Sequence, residues 1–136
     1  MRKFLITAHG NFASGIKSSL DIIIGHVENV YVIDAYVHGN QSIEDELSDV
    51  LEKIKPTDEL VVFSDLMGGS ITNQILRFAL KENVHVVSGM NLPLLIDIIL
   101  ADTETPVEAV IENSVKIARE QVVYVNKLIN KENAHD

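Results

Sequence analysis

Two stretches of this chain end an apolar run on a side chain capable of chemistry. "FLITAHGNFASG" stops on His9, and "VVFSDLMGGSITN" stops on Asp65, with Gly68, Gly69 and Ser70 close behind. An imidazole beside a carboxylate is a nucleophile or base whose tautomer is fixed. If Asp65 accepts a hydrogen bond from Nδ1 of His9, the Nε2 lone pair faces outward, and the carboxylate stabilises positive charge developing on the ring. Other chemistries lack their residues. The chain has no cysteine, which removes disulfides, thiolate zinc sites and a thiol nucleophile. It offers no serine at a nucleophile elbow, no second histidine or carboxylate cluster for a metal, and no Walker loop with its lysine. The expectation is a site without metal or cofactor.

For His9 and Asp65 to meet, the elements around them must bring two strand ends together. Runs rich in Val, Ile and Phe predict strands at Lys3 to Ala8, Val30 to Tyr36, Glu59 to Ser64 and Val84 to Ser88. Apolar residues three and four apart predict helices at Phe12 to Ile24, Ser42 to Ile54, Ser70 to Leu80, Asn91 to Leu100 and Val107 to Arg119. Strands alternating with helices imply parallel pairing through right-handed crossovers, hence an open α/β sheet with helices on both faces. In such sheets ligands gather beyond the carboxyl ends of the strands, where strand order reverses. With the order 2-1-3-4, the first and third strands are neighbours at that point. His9 and Asp65 then lie side by side, and Gly10, Gly68 and Gly69 let the backbone turn sharply into helices. Helix starts aim N–H groups at the same crevice, which suits a phosphoryl group. A histidine facing such a crevice suggests that the ring itself carries the phosphoryl group, with Ser70 offering its N–H or hydroxyl to the oxygens.

The remaining histidines fit other places. His38 also follows a strand, but at the sheet edge, out of reach of a carboxylate on the third strand. His26 follows a helix stop, His85 lies in the fourth strand toward the opposite end of the sheet, and His135 is in a polar tail. A simpler reading of Asp65 is a helix cap, which is compatible with holding an imidazole. Asn91 and Pro93 read as the start of the fourth helix.

The 136 residues are 46% hydrophobic, enough for one packed domain over 1–130, followed by a polar tail over 131–136. A net charge of −9 argues against nucleic acid and for protein partners with basic faces. The longest apolar run, "LPLLIDIILA", is short and carries Asp97, and the N-terminus has no signal-peptide layout, so the expectation is a cytoplasmic protein with no direct membrane insertion. "QVVYVNKL", Gln121 to Leu128, is β-branched and aromatic, and reads as a fifth strand.

Taken together, "TAHGNFASG", "SDLMGGSITN" and "VVSGMNLPLLID" resemble the IIA domain of the mannose/fructose/sorbose family of the bacterial phosphoenolpyruvate-dependent sugar phosphotransferase system. The resemblance runs to about Leu128. It implies that His9 is the phosphorylated histidine and Asp65 its orienting partner, that phosphate arrives from the phosphocarrier protein HPr, and that it leaves to a histidine of a IIB component. It also implies a homodimer in which the fifth strand pairs antiparallel with the partner's sheet. Where relatives often have Thr before the histidine and Pro after Gly-Gly-Ser, this chain has Ala8 and Ile71. The chain ends at "NKENAHD" where many relatives continue through a linker into a IIB domain, so a free-standing IIA protein is expected. Two alternatives share the fold: the phosphotransfer subunit of dihydroxyacetone kinase, in which Ser usually follows the histidine where Gly10 stands here, and a flavodoxin-like module that binds a phosphorylated ligand without chemistry. A signalling receiver domain is excluded, because Ala8-His9 stands where its acidic pair would be.

Overall fold

The computed structural model describes residues 1–133; the expected tail position His135 lies outside them. Four parallel strands, β1 (Arg2–His9), β2 (Val30–Ala35), β3 (Glu59–Ser64) and β4 (Val84–Val87), form one sheet in the order β2-β1-β3-β4. The helices are α1 (Phe12–Ile24), α2 (Glu44–Glu52), α3 (Ser70–Phe78), α4 (Leu92–Ile99), α5 (Val107–Glu120) and α6 (Val125–Asn133). The α/β architecture and strand order are those expected from the sequence.

Side-chain alternation along the strands explains the layering. Phe4, Ile6 and Ala8 of β1, with Val61 and Phe63 of β3, pack under α1, α4 and α5. Leu5 of β1, with Leu60 and Val62 of β3, packs with Ile43, Leu47 and Val50 and with Ile71 and Ile75, under α2 and α3. Because β1 and β3 are covered on both sides, they read as nearly continuous apolar runs. Phe63 is fully buried and stacks with Phe4 at a centroid distance of 6.4 Å. Burial of a side chain of this size contributes about 1.5–3 kcal/mol, and this packing holds the central strands rigid beneath the site.

The amino ends of the strands are tied by charge. Lys3 Nζ lies 2.9 Å from Asp58 Oδ2 and donates to the Lys53 carbonyl at 2.8 Å. The Lys3 hydrogen bond and the Lys55 N–H lower the Asp58 pKa to about 2.

One expectation fails. Residues 122–124 join no strand, and Val125–Asn133 is helical, where a fifth strand over Gln121 to Leu128 was expected. Composition favours β structure there, but backbone groups without a neighbouring strand must find partners locally. Lys127 and Leu128 N–H both donate to the Tyr124 carbonyl, starting a helix that Leu and Lys support.

Candidate functional site

Strand register places the reactive residues. Thr7 pairs with Ser64 and His9 with Ala35, so Asp65 and Tyr36 each begin one residue beyond the paired ends, on either side of His9. Gly10 continues the ladder, its N–H donating to Ala35 at 2.8 Å, and then turns the chain at φ 59°. The Ser14 N–H donates to Asp34 Oδ1 at 3.0 Å, which anchors the first turn of α1 to β2.

Asp65 holds His9 twice. Its Oδ2 accepts the His9 backbone N–H at 2.9 Å and lies 2.6 Å from the ring Nδ1, while Oδ1 accepts the Leu66 N–H at 2.9 Å. Burial pushes the Asp65 carboxyl up, but the His9 backbone and ring hydrogen bonds outweigh it, and the net pKa lies below the ordinary carboxylate value. The carboxylate therefore accepts from Nδ1–H, which leaves Nε2 as the ring's acceptor or nucleophile. The His9 side chain is 44% exposed and that of Asp65 10%, so an incoming group reaches the ring and not its support.

The loop after β3 closes over the same spot. Gly68 adopts φ 75°, a conformation that L side chains rarely take, and Gly69 is the N-cap of α3 without a side-chain cap. The cap reading of Asp65 is thereby displaced: its oxygens serve His9 and Leu66, not the start of α3. Thr72 Oγ1 donates to the Leu66 carbonyl at 2.6 Å and pairs with the buried Ser64 hydroxyl at 2.7 Å, bracing the loop. Ser70, the first residue of α3, puts Oγ 3.4 Å from His9 Nε2. The early N–H groups of α3 have no partners within the helix and carry the positive end of its dipole, a favourable setting for an anion.

Two residues that the sequence reading passed over complete the cluster. The Tyr36 ring centroid lies 5.3 Å from that of His9, and its hydroxyl donates to Ser70 Oγ at 2.9 Å. Gln74 Nε2 donates to the Tyr36 hydroxyl at 2.8 Å. Tyr36 adopts φ 64°, costing roughly 1–2 kcal/mol for a residue other than glycine. The available signals were an aromatic residue at the end of the strand beside His9, and a glutamine one helical turn beyond Ser70.

The other histidines stand apart from this cluster. His38 is exposed in the turn after β2, His26 is exposed after α1, and His85 pairs with Glu59 at 2.6 Å in the lower half of the sheet. Asn91 caps α4, its side chain accepting the Leu94 N–H at 3.0 Å. Among the described residues no helix is long and apolar enough to cross a membrane, and no group of three potential ligands is placed to hold a metal ion.

A family model described as the PTS system fructose IIA component matches residues 3–115. The chain is 28% identical to the sorbose-specific EIIA component of Lacticaseibacillus casei, over 87% of this chain and 86% of that protein. It is 24% identical to the fructose-specific EIIA component of Bacillus subtilis, over 100% and 99% of the two chains. The crystal structure of phosphotransferase system component EIIA from Streptococcus agalactiae superposes with a TM-score of 0.78 at 30% identity, covering 93% of this chain and 99% of that one.

Proposed function

The chain belongs to the PTS system fructose IIA component family of sugar phosphotransferase proteins, and from that premise we propose that His9 is its phosphoryl carrier, accepting phosphate from phospho-HPr and passing it to a histidine of a IIB component. The observation that carries this reading is the double hold of Asp65 Oδ2 on the His9 backbone N–H and ring Nδ1, at 2.9 and 2.6 Å, which leaves Nε2 as the ring's unprotonated nucleophile.

The step balances without metal or nucleotide. The Nε2 lone pair of neutral His9 attacks phosphorus as the N–P bond to the donor histidine breaks, and the donor ring leaves with the electron pair. His9 gains positive charge while its proton stays on Nδ1, and the ionised Asp65 offsets that charge through its short hydrogen bond. The phosphoryl oxygens meet the Ser70 hydroxyl and the backbone N–H groups of Gly68 and Ser70, while Gly10 and Gly69, whose own N–H groups are held by the Ala35 and Leu66 carbonyls, shape the turns around them. Transfer to the IIB histidine repeats the step in reverse. The protein works in the cytoplasm, where its donor is found.

We assign it a homodimer as well. Val122, Val123, Tyr124, Val125, Leu128 and Ile129 are all at least 49% exposed, an apolar segment broken only by Asn126 and Lys127, of the kind that marks a protein interface.

Incubation with phosphoenolpyruvate, enzyme I and HPr, followed by peptide mapping, tests the carrier reading. The expected result is acid-labile, base-stable phosphate on His9, lost in His9→Ala and kept in His38→Ala and His85→Ala. Absence of label, or label on another histidine, would refute it.

A further inference from the structure

The hydrogen bonds beyond Ser70 have only one consistent direction. The Ile43 backbone N–H can only donate, and it meets Gln74 Oε1 at 2.9 Å, with the Ser42 hydroxyl donating to the same oxygen at 2.9 Å. Gln74 must therefore turn its amide nitrogen the other way, toward the Tyr36 hydroxyl at 2.8 Å. The Tyr36 oxygen, already accepting, sends its own proton to Ser70 Oγ at 2.9 Å. Ser70, accepting in turn, has its proton free for the Nε2 of His9 at 3.4 Å. That nitrogen is an acceptor because Asp65 takes the Nδ1 proton. A single main-chain N–H at the start of α2 thus sets the polarity of a chain that ends on the reactive nitrogen.

The geometry points to Tyr36 as a positioning residue for phosphoryl transfer: by occupying the acceptor side of the Ser70 hydroxyl, it keeps that hydroxyl a donor aimed at the Nε2 edge, where the phosphoryl oxygens arrive. Without the tyrosine hydroxyl, the Ser70 proton is free to rotate toward other acceptors, and an oxygen lone pair can face the incoming anion. Two further observations support a dedicated role. Tyr36 holds φ 64°, where glycine or asparagine would sit at lower cost, and its ring lies against that of His9. A tyrosine needed only to end β2 would require neither feature. The inference rests on His9 as the phosphoryl carrier, and it adds a residue whose hydroxyl acts on His9 only through Ser70.

The test is a double-mutant cycle of Tyr36→Phe and Ser70→Ala, read by the rate of labelling from phospho-HPr and by the ¹⁵N shifts of the His9 ring. Tyr36→Phe keeps the ring and removes two neutral hydrogen bonds, the one accepted from Gln74 and the one donated to Ser70; loss of the second is expected to slow labelling about 3- to 10-fold. In the Ser70→Ala background the same change is expected to have no further effect. In unphosphorylated protein Tyr36→Phe should move the Nε2 resonance toward that of a nitrogen without a hydrogen bond, while Nδ1 keeps its proton. Equal labelling rates for Tyr36→Phe and wild type, or a loss that adds in full to that of Ser70→Ala, would overturn the role assigned to Tyr36 and leave His9 as the carrier. A wild-type protein that takes no label on His9 would overturn the carrier reading, and with it the role of Tyr36 in transfer, even if the ¹⁵N shifts behave as described.

Discussion

Replacing Asp65 by Asn removes the negative charge beside the His9 ring and forces a choice of hydrogen bonds. The carboxylate accepts three N–H groups, two on Oδ2 from His9 and one on Oδ1 from Leu66. An amide has one oxygen. Turned toward His9, it keeps both of those bonds and opposes the Leu66 N–H with its own; turned the other way, it loses both and pushes the ring proton to Nε2. The first arrangement costs less, so the ring stays held while the charge is gone. Two unit charges about 4 Å apart interact by about 4 kcal/mol at an effective dielectric constant of 20. The ring is 44% exposed, and solvent screening reduces this substantially. The remainder, about 1.4–2.8 kcal/mol, matches what a hydrogen bond to a charged group is worth and corresponds to about 10- to 100-fold in rate. Rapid-quench labelling from phospho-HPr measures it, with circular dichroism and thermal melting to verify the fold. A rate within twofold of wild type would refute the argument and reduce Asp65 to an anchor for its own loop.

Three other outcomes are expected. Asp58 has a pKa lowered from 3.8 to about 2, so it binds its proton more weakly folded than unfolded; its contribution to stability is present in full above about pH 4 and is lost as pH falls through about 2. Urea melts should show Asp58→Asn less stable at pH 7, with the difference from wild type shrinking across that window; a pH-independent difference would contradict the assignment. Gly68→Ala meets no neighbouring atom but places a side chain at φ 75°, so a loss of about 1 kcal/mol and slower labelling are expected, whereas unchanged stability would show that the loop relaxes freely. Ending the chain after Glu120 removes the apolar run from Val122 to Ile129, and sedimentation should then shift from dimer to monomer; a truncated protein that stays dimeric, or a full chain that sediments as a monomer at micromolar concentration, would refute the assembly proposed for that surface.

The strands and most helix boundaries were legible because burial on both faces writes long apolar runs into β1 and β3, and because His9 and Asp65 interrupt them at the ends that the topology brings together. Tyr36 was not legible as a site residue. As the next residue after an apolar strand it looks like more strand, and only its positive φ and its contact with the His9 ring distinguish it. Gln74 was hidden for a related reason: a polar residue on a partly covered helix face resembles surface until its partners on α2 and β2 are known. The segment after α5 misled in the opposite sense. Its β-branched composition describes what the residues favour against a neighbouring strand, and one chain alone supplies no such neighbour.

That a single carboxylate oxygen grips both the main chain and the ring of His9 also bears on regiochemistry. Phosphohistidine exists as two isomers, with phosphorus on either ring nitrogen, and a freely rotating imidazole could present either one to a donor. Here the nitrogen nearer the backbone is occupied by its proton and by Asp65 Oδ2 at 2.6 Å, and a flip of the ring would break that bond while the main-chain N–H stayed in place. On the carrier role proposed for His9, this hold commits the ring to the tele isomer before any donor arrives, and a partner that reads the outer nitrogen need not sort one isomer from the other.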